Sequence, residues 1–285
     1  MPRRGVAAAV ALAVGSVAGL GALAGPAGPA GPRTCPVAGH VDARVSGVER
    51  EAIPTLPARY SFWEVASDAC SPVRWDPCRP VHFVVNRAGA PPGAVEDVRE
   101  AFRRLAAATG MAFVDDGPTD ERGGADRAPY QPGRYGRRWA PVLVEWAEPA
   151  GGTDEVQVVG TGVPTRVGDA YVTARLTLNP SAVTDAGART PVPAGFGPAT
   201  GTGPVGPRGV SWGRIVLHEL GHVMGLGHTR DPAQLMYPET SEQTTRPARF
   251  ADGDRAGLRH LGRPAGCLDA PRPGPAAAAV GAGRR

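Results

Sequence analysis

The hydrophobic pattern in the first half of the chain predicts a strand followed by an amphipathic helix. Residues 81–87 contain no Gly or Pro and are rich in β-branched side chains, which is typical of a buried strand. Apolar residues then recur at steps of three and four, at Val95, Val98, Phe102 and Leu105. This spacing predicts a helix that buries one face, and Gly110 supplies the stop signal beyond its last turn.

Shorter apolar runs predict the other strands. They lie at residues 111–114, 142–146, 156–161 and 170–178, and the last alternates with period two. Residues 115–141 are polar and Gly-rich, and ten of the eighteen residues 191–208 are Gly or Pro, so both stretches are expected to be loops. The order of strand, helix, several strands and helix predicts an α/β or α+β layer around one twisted sheet.

Composition excludes a fully disordered chain and gives no support to nucleic-acid binding. Gly (40) and Pro (31) are abundant among the 285 residues, but 42% of the chain is hydrophobic and the net charge is only +4. These values fit one globular core with flexible flanks. All 31 basic residues are Arg, and they are scattered rather than gathered in a stripe with aromatic residues.

The N-terminus has the features of a secretory signal. Arg3 and Arg4 precede a run of small apolar residues from 6 to 24, which ends in an Ala-Leu-Ala site at Ala24. We predict cleavage after Ala24 and secretion of the mature protein. An uncleaved membrane anchor is the alternative, and the Arg pair does not distinguish general secretion from twin-arginine export.

Export changes the interpretation of the four cysteines. They are Cys35, Cys70, Cys78 and Cys267, and no two of them have the C-x-x-C spacing. In an oxidising compartment this favours two disulfides over a zinc-thiolate site. Three connectivities are possible, and we favour Cys78 with Cys267 and Cys35 with Cys70.

The chemistry of the chain is concentrated in the pattern H-E-x-x-H-x-x-G-x-x-H at residues 218–228. His218 and His222 are four residues apart, so on a helix both imidazoles point to one side. Gly225 would let the helix end and the chain turn, which brings His228 back to the same point. Three neutral imidazoles with an open fourth position are what a catalytic zinc ion requires, and Glu219 beside them can accept a proton from water. The alternatives are a chance occurrence and a structural zinc site.

This motif resembles that of the metzincin metallopeptidases, and the residues after it resemble the matrixins in particular. A Leu-Met-Tyr-Pro sequence follows at residues 235–238. The resemblance implies that Met236 is the Met-turn residue beneath the three histidines, and that Tyr237 and Pro238 begin the wall of a substrate pocket. It also implies an α+β domain over residues 75–267, with a twisted, mostly parallel sheet, an active-site helix and a C-terminal helix.

Two matrixin features are missing from the sequence. The remaining histidines, His40, His82 and His260, are too dispersed for a second, structural zinc site, so we expect one zinc ion and find no support for calcium. His82 and His260 are expected to be ordinary packing or surface residues. The sequence around Cys35 shares only fragments of the matrixin latency motif, which favours a disulfide over a cysteine switch.

The predicted function is that of a secreted, monomeric zinc endopeptidase. An extended peptide substrate would pair with an edge strand between residues 156 and 178, and Glu219 would be the general base. A non-catalytic secreted binding or adhesion protein on the same scaffold is the alternative. The predicted organisation is a signal at 1–24, a linker or short propeptide at 25–68, the catalytic domain at 69–268 and a disordered tail at 269–285, with no stable membrane insertion after signal cleavage.

Overall fold

The protein is described from a computed structural model. The structure describes residues 59–148 apart from 69, and residues 158–182, 191–197, 210–238 and 246–274. It also gives the backbone of three two-residue strands at 40–41, 202–203 and 206–207. The predicted signal and Cys35 lie outside the described residues.

The described chain contains ten strands and four α-helices. The strands are β1 (His40–Val41), β2 (Ser61–Phe62), β3 (Val81–Val85), β4 (Phe113–Pro118), β5 (Val142–Trp146), β6 (Gly160–Val167), β7 (Ala170–Leu178), β8 (Thr202–Gly203), β9 (Gly206–Pro207) and β10 (Leu226–Gly227). The helices are α1 (Ala94–Thr109), α2 (Pro132–Tyr135), α3 (Trp212–Met224) and α4 (Asp252–Leu261), and a 3-10 turn follows at Arg263–Ala265.

Five strands form the main sheet in the order β4-β3-β5-β7-β6. The first four are mutually parallel, and β6 is antiparallel to β7 at one edge. α1 packs against α3, and α3 packs against β6 and β7. This arrangement confirms the predicted α+β fold with a mostly parallel sheet.

The helix α1 forms as its periodicity predicts. Val98, Phe102 and Leu105 are fully buried, and the ring of Phe102 stacks on Phe83 of β3 with centroids 3.8 Å apart. Gly110 ends the helix in the left-handed region, at φ 69°, and its N–H donates to the carbonyl of Ala106. Glycine adopts this conformation without the cost that a side chain would add.

Several predicted boundaries were wrong. The strand predicted at 81–87 is β3, and it ends at residue 85. The side chain of Asn86 accepts a hydrogen bond from the N–H of Ala88, which turns the chain there. β4 lies at 113–118 instead of 111–114, and β6 lies at 160–167 instead of 156–161. Both are edge strands whose polar, Gly or Pro positions hide the hydrophobic pattern of a strand. The predicted loops also contain structure, namely α2 and the hairpin of β8 and β9.

The long segment between β4 and β5 is ordered by a buried ion pair. Arg127 donates from Nε and Nη2 to the two carboxylate oxygens of Glu121, at 2.9 and 3.0 Å. Tyr135 of α2 and Gln131 also donate to this carboxylate. Burial favours the protonated acid, but these hydrogen bonds outweigh it and hold the pKa of Glu121 below its ordinary value.

The packed structure begins before residue 69. β2 pairs with β10 on one side and with β1 on the other, so it forms the centre of a small second sheet. Phe62 is only 1% exposed and belongs to the main core. The part of the region 25–68 that includes Phe62 is therefore built into the globular unit.

A disulfide joins the start of the main sheet to the segment after α4. Cys78 and Cys267 are bonded, with a Cα–Cα distance of 5.3 Å, which confirms the predicted pair. The bond closes a loop of 189 residues, and a loop of this length restricts the unfolded chain strongly. The pairing of Cys70 with Cys35 stays a prediction. Within the described ranges, no helix is long and apolar enough to cross a membrane.

Candidate metal centre

The helix α3 is buried over its whole length and carries the first part of the histidine motif. Ser211 caps its N-terminus, since its side chain accepts from the N–H of Arg214 at 3.4 Å. All thirteen residues of the helix are buried, including His218 and His222. One helical turn separates these two histidines, so their imidazoles lie on the same side with ring centroids 4.9 Å apart.

Gly225 ends the helix and reverses the chain toward the third histidine. Its φ is 106°, and a Cβ at this position would lie 3.0 Å from the ring of Tyr171 and 3.2 Å from the carbonyl oxygen of Val73. The positive φ therefore favours glycine strongly, and the tight packing adds to this preference. The short strand β10 follows and leads to His228, as the motif predicts.

The three imidazoles converge through their Nε2 atoms. The Nε2 of His228 lies 3.3 Å from that of His218 and 3.1 Å from that of His222. Nitrogens at about 2.0–2.1 Å from a tetrahedral zinc ion would be about 3.4 Å from one another. The spacing of the three histidines thus fits a single zinc ion.

Hydrogen bonds on the opposite ring nitrogens fix which nitrogen faces the centre. The Nδ1 of His218 lies 2.8 Å from the carbonyl oxygen of Leu235, and that of His222 lies 2.8 Å from the carbonyl oxygen of Leu226. A carbonyl only accepts, so each Nδ1 carries the proton and each Nε2 presents a lone pair. Burial, followed by the nearby His228, lowers the pKa of His218 to about 3 and that of His222 well below its ordinary value, so both rings are neutral metal donors.

The side chain of Glu219 extends from α3 toward the edge strand β6. It is 7% exposed, and the N–H of Gly162 donates to its carboxylate. A Cβ at Gly162 would lie 2.2 Å from the carbonyl oxygen of Glu219, and one at Gly160 would lie 3.1 Å from the Glu219 side chain. These two glycines let β6 pass directly over Glu219. Burial raises the pKa of this carboxyl to about 8.

The segment after His228 returns beneath the helix. Met236 is buried, and its Sδ lies 2.3 Å from where a Cβ on Gly221 would be, so it packs against the helix between the two histidine positions. The N–H of Thr229 donates to the carbonyl of Met236 at 3.0 Å. Tyr237 is half-buried and Pro238 is exposed, at the end of this segment. Met236 therefore packs against the helix that carries the first two histidines, and its role as a Met-turn residue stays a prediction.

Asp254 supports this segment, a role that sequence reasoning missed. It is fully buried in the first turn of α4, and its carboxylate accepts from the N–H groups of Leu235 at 2.7 Å, Met236 at 3.2 Å and Ala251 at 2.8 Å. Because the Leu235 carbonyl in turn accepts from His218, Asp254 connects α4 to the metal centre. The only signal in the sequence was an acidic residue near the start of a predicted helix.

Replacing Asp254 by Ala is expected to destabilise the protein strongly, because three N–H groups, two of them buried, lose their acceptor. The free energy of unfolding should fall by about 2–4 kcal/mol, measured by urea denaturation. Asp252→Ala, in the same turn but exposed, is the matched control and should change it by less than about 0.5 kcal/mol. Equal stability of the two variants would contradict the supporting role of Asp254.

The other described histidines lie outside this centre. His82 of β3 contacts Asp116 at 2.9 Å, and His260 of α4 packs against the rings of Tyr60 and Phe62. Among the described residues, the only other group with metal-ligand spacing is Asp76, Cys78 and Cys267. Its two cysteines are bonded to each other, so that group is a disulfide with a neighbouring carboxylate.

The fold and the histidine geometry together resemble those of one class of protein. A mostly parallel sheet, a buried helix that carries HExxH and a third histidine after a glycine turn are the features of metzincin-type zinc metallopeptidases. Residues 147–262 match the family model described as Matrixin, which confirms the predicted resemblance and supports a zinc metallopeptidase. The chain is matrixin-like over this range, which runs from the end of β5 to the end of α4. No curated protein matches the chain.

Proposed function

We propose that this protein is a secreted zinc-dependent endopeptidase with one catalytic metal ion. The observation that carries the proposal is the convergence of three Nε2 atoms, at 3.1 and 3.3 Å, beside the buried carboxyl of Glu219. The matrixin match over residues 147–262 supports it. His218, His222 and His228 would hold the ion.

The proposed mechanism assigns proton transfer to Glu219. Zinc, when bound, would polarise the substrate carbonyl, acidify a water molecule and lower the pKa of the adjacent carboxyl. Glu219 would accept the proton of the attacking water and deliver it to the leaving amine. The N–H of Gly162 favours the carboxylate form and fixes its orientation.

The proposed substrate is an extended peptide that lies along β6. β7 is interior to the sheet, whereas β6 is at its edge, so of these two strands only β6 has a side that no strand of the described sheet occupies. Gly160 and Gly162 bring this edge next to Glu219, which would place a paired peptide near the three histidines. Tyr237 and Pro238 would begin the wall of the pocket for the residue after the cleaved bond.

A non-catalytic binding or adhesion protein on the same scaffold is the competing proposal. It requires no general base, yet the buried Glu219 costs stability through its desolvation. A binding role gives no reason to retain such a group beside three converging imidazoles. The intact set therefore favours the peptidase, which we take to act as a secreted monomer without membrane insertion.

Hydrolysis of casein or a quenched peptide library separates the two proposals. The peptidase proposal expects cleavage that stops on treatment with a zinc chelator and returns on addition of zinc. Mass spectrometry of the products should show internal cleavage, as an endopeptidase gives. No cleavage by a correctly folded, zinc-loaded protein would favour the binding proposal.

A further inference from the structure

Residues 61–63, which precede the main sheet in sequence, lie alongside the turn that leads to the third histidine. β2 pairs antiparallel with β10, with Phe62 opposite Leu226 and Ser61 opposite Gly227. The N–H of Trp63 then donates to the carbonyl of Gly225 at 2.8 Å. The backbone of residues 61–63 is thus paired with residues 225–227, which join the end of α3 to His228.

Ser61 makes a direct contact with the backbone of His228. Its Oγ donates to the carbonyl oxygen of His228 at 2.6 Å, and the residue is 4% exposed. A Cβ on Gly227 would lie 2.4 Å from this Oγ, so the glycine is what allows the hydroxyl to approach. This hydrogen bond holds the backbone of His228, whose Nε2 is the third of the three converging nitrogens.

The same segment is held in place from both sides. The ring of Trp63 packs against His222, with centroids 5.0 Å apart. On the other side, Tyr60 and Phe62 contact the ring of His260 in α4, with centroids 5.9 and 6.1 Å apart. Residues 60–63 are therefore anchored to α4, and Ser61 and Trp63 contact two of the three histidines.

The third histidine lies outside α3. His218 and His222 are residues of that helix, and its backbone hydrogen bonds position them. His228 instead follows a two-residue strand, whose position depends on the chain that pairs with it. β2 is the strand that pairs with β10.

We propose that Ser61 is a positioning residue for the metal ligand His228, and that residues 60–63 are an integral part of the metal site. The inference rests on the proposed function in taking the three histidines as zinc ligands.

The proposal also limits where a propeptide could be cleaved from the chain. If a propeptide is removed from the region 25–68, the cleavage must fall before Tyr60, because removal of β2 would release the His228 turn.

The test measures zinc affinity in the full secreted chain by competition with a chromophoric chelator. Ser61→Ala should bind zinc about tenfold more weakly than the wild type, the lower range for loss of an outer hydrogen bond to a ligand. The visible spectrum of the cobalt-substituted protein should also change, because the position of one nitrogen ligand is altered. The metal-free unfolding midpoint is recorded in parallel.

Ser67→Ala is the matched control. Ser67 lies in the same N-terminal segment, but its hydroxyl donates to the exposed carboxylate of Asp169. Its zinc affinity and cobalt spectrum should equal those of the wild type. Equal weakening of zinc binding in both variants would overturn the proposal, because it would indicate a general effect on the fold.

Zinc affinity of Ser61→Ala within twofold of the wild type, with an unchanged cobalt spectrum, would also overturn it. If Ser61→Ala does not fold, Gly227→Ala decides, since its Cβ would displace the Ser61 hydroxyl; about tenfold weaker binding supports the proposal and unchanged binding contradicts it. A wild type that binds no zinc would contradict the proposed function itself. A zinc-loaded wild type with an unaffected Ser61→Ala contradicts only this inference.

Discussion

Replacing Glu219 by Gln is expected to reduce peptide hydrolysis by about 10²–10⁴-fold, the contribution of a positioned general base. Gln is nearly isosteric but does not accept a proton from water. Zinc binding should persist, because the three imidazoles are untouched and Glu219 is not one of the converging ligands. The measurements are kcat/KM on a quenched peptide and the zinc content of the same sample.

The matched control is Glu148→Gln, which makes the same chemical change at an exposed position just after β5. Its kcat/KM should equal that of the wild type. The stability of Glu219→Gln should be equal to or greater than that of the wild type, since burial disfavours the charged carboxylate. Full activity in Glu219→Gln would rule out the proposed mechanism.

The elements with regular periodicity were predictable from the sequence. α1 and β7 have the predicted character because their apolar residues follow the periods of a helix and a strand, and the motif at 218–228 specifies the turn at Gly225 as well as the histidines. A local pattern is sufficient in each case, since the residues that define the element are close together in sequence.

The contacts that support the three-histidine site were not predictable because they join distant parts of the chain. Ser61 contacts His228 across 167 positions, and Asp254 contacts Leu235 across 19. Neither residue has a spacing that distinguishes it from an ordinary polar residue. The predicted bounds of the edge strand β6 were wrong for a related reason. Two of its residues are glycines that allow close contact with Glu219, and glycines are not typical of a strand.

Replacing His218 by Ala is expected to remove zinc as well as activity. The variant loses one of three converging nitrogens and leaves the Leu235 carbonyl without its imidazole partner. Loss of an outer hydrogen bond to a ligand costs about 10–100-fold in metal affinity, so loss of a ligand itself should cost more than about a hundredfold. Hydrolysis should fall with the zinc content. His82→Ala, a histidine on β3 that contacts Asp116, is the control and should retain both.

Zinc content per chain, measured by native mass spectrometry on the wild type and on folded His218→Ala at the same free zinc concentration, tests the three-histidine centre most directly. We expect about 0.9 of a zinc ion per wild-type chain and less than about a tenth of an equivalent on the variant, when free zinc is buffered about tenfold above the wild-type Kd. A wild type without zinc, or a His218→Ala chain that keeps a full equivalent, would contradict the proposed metal centre.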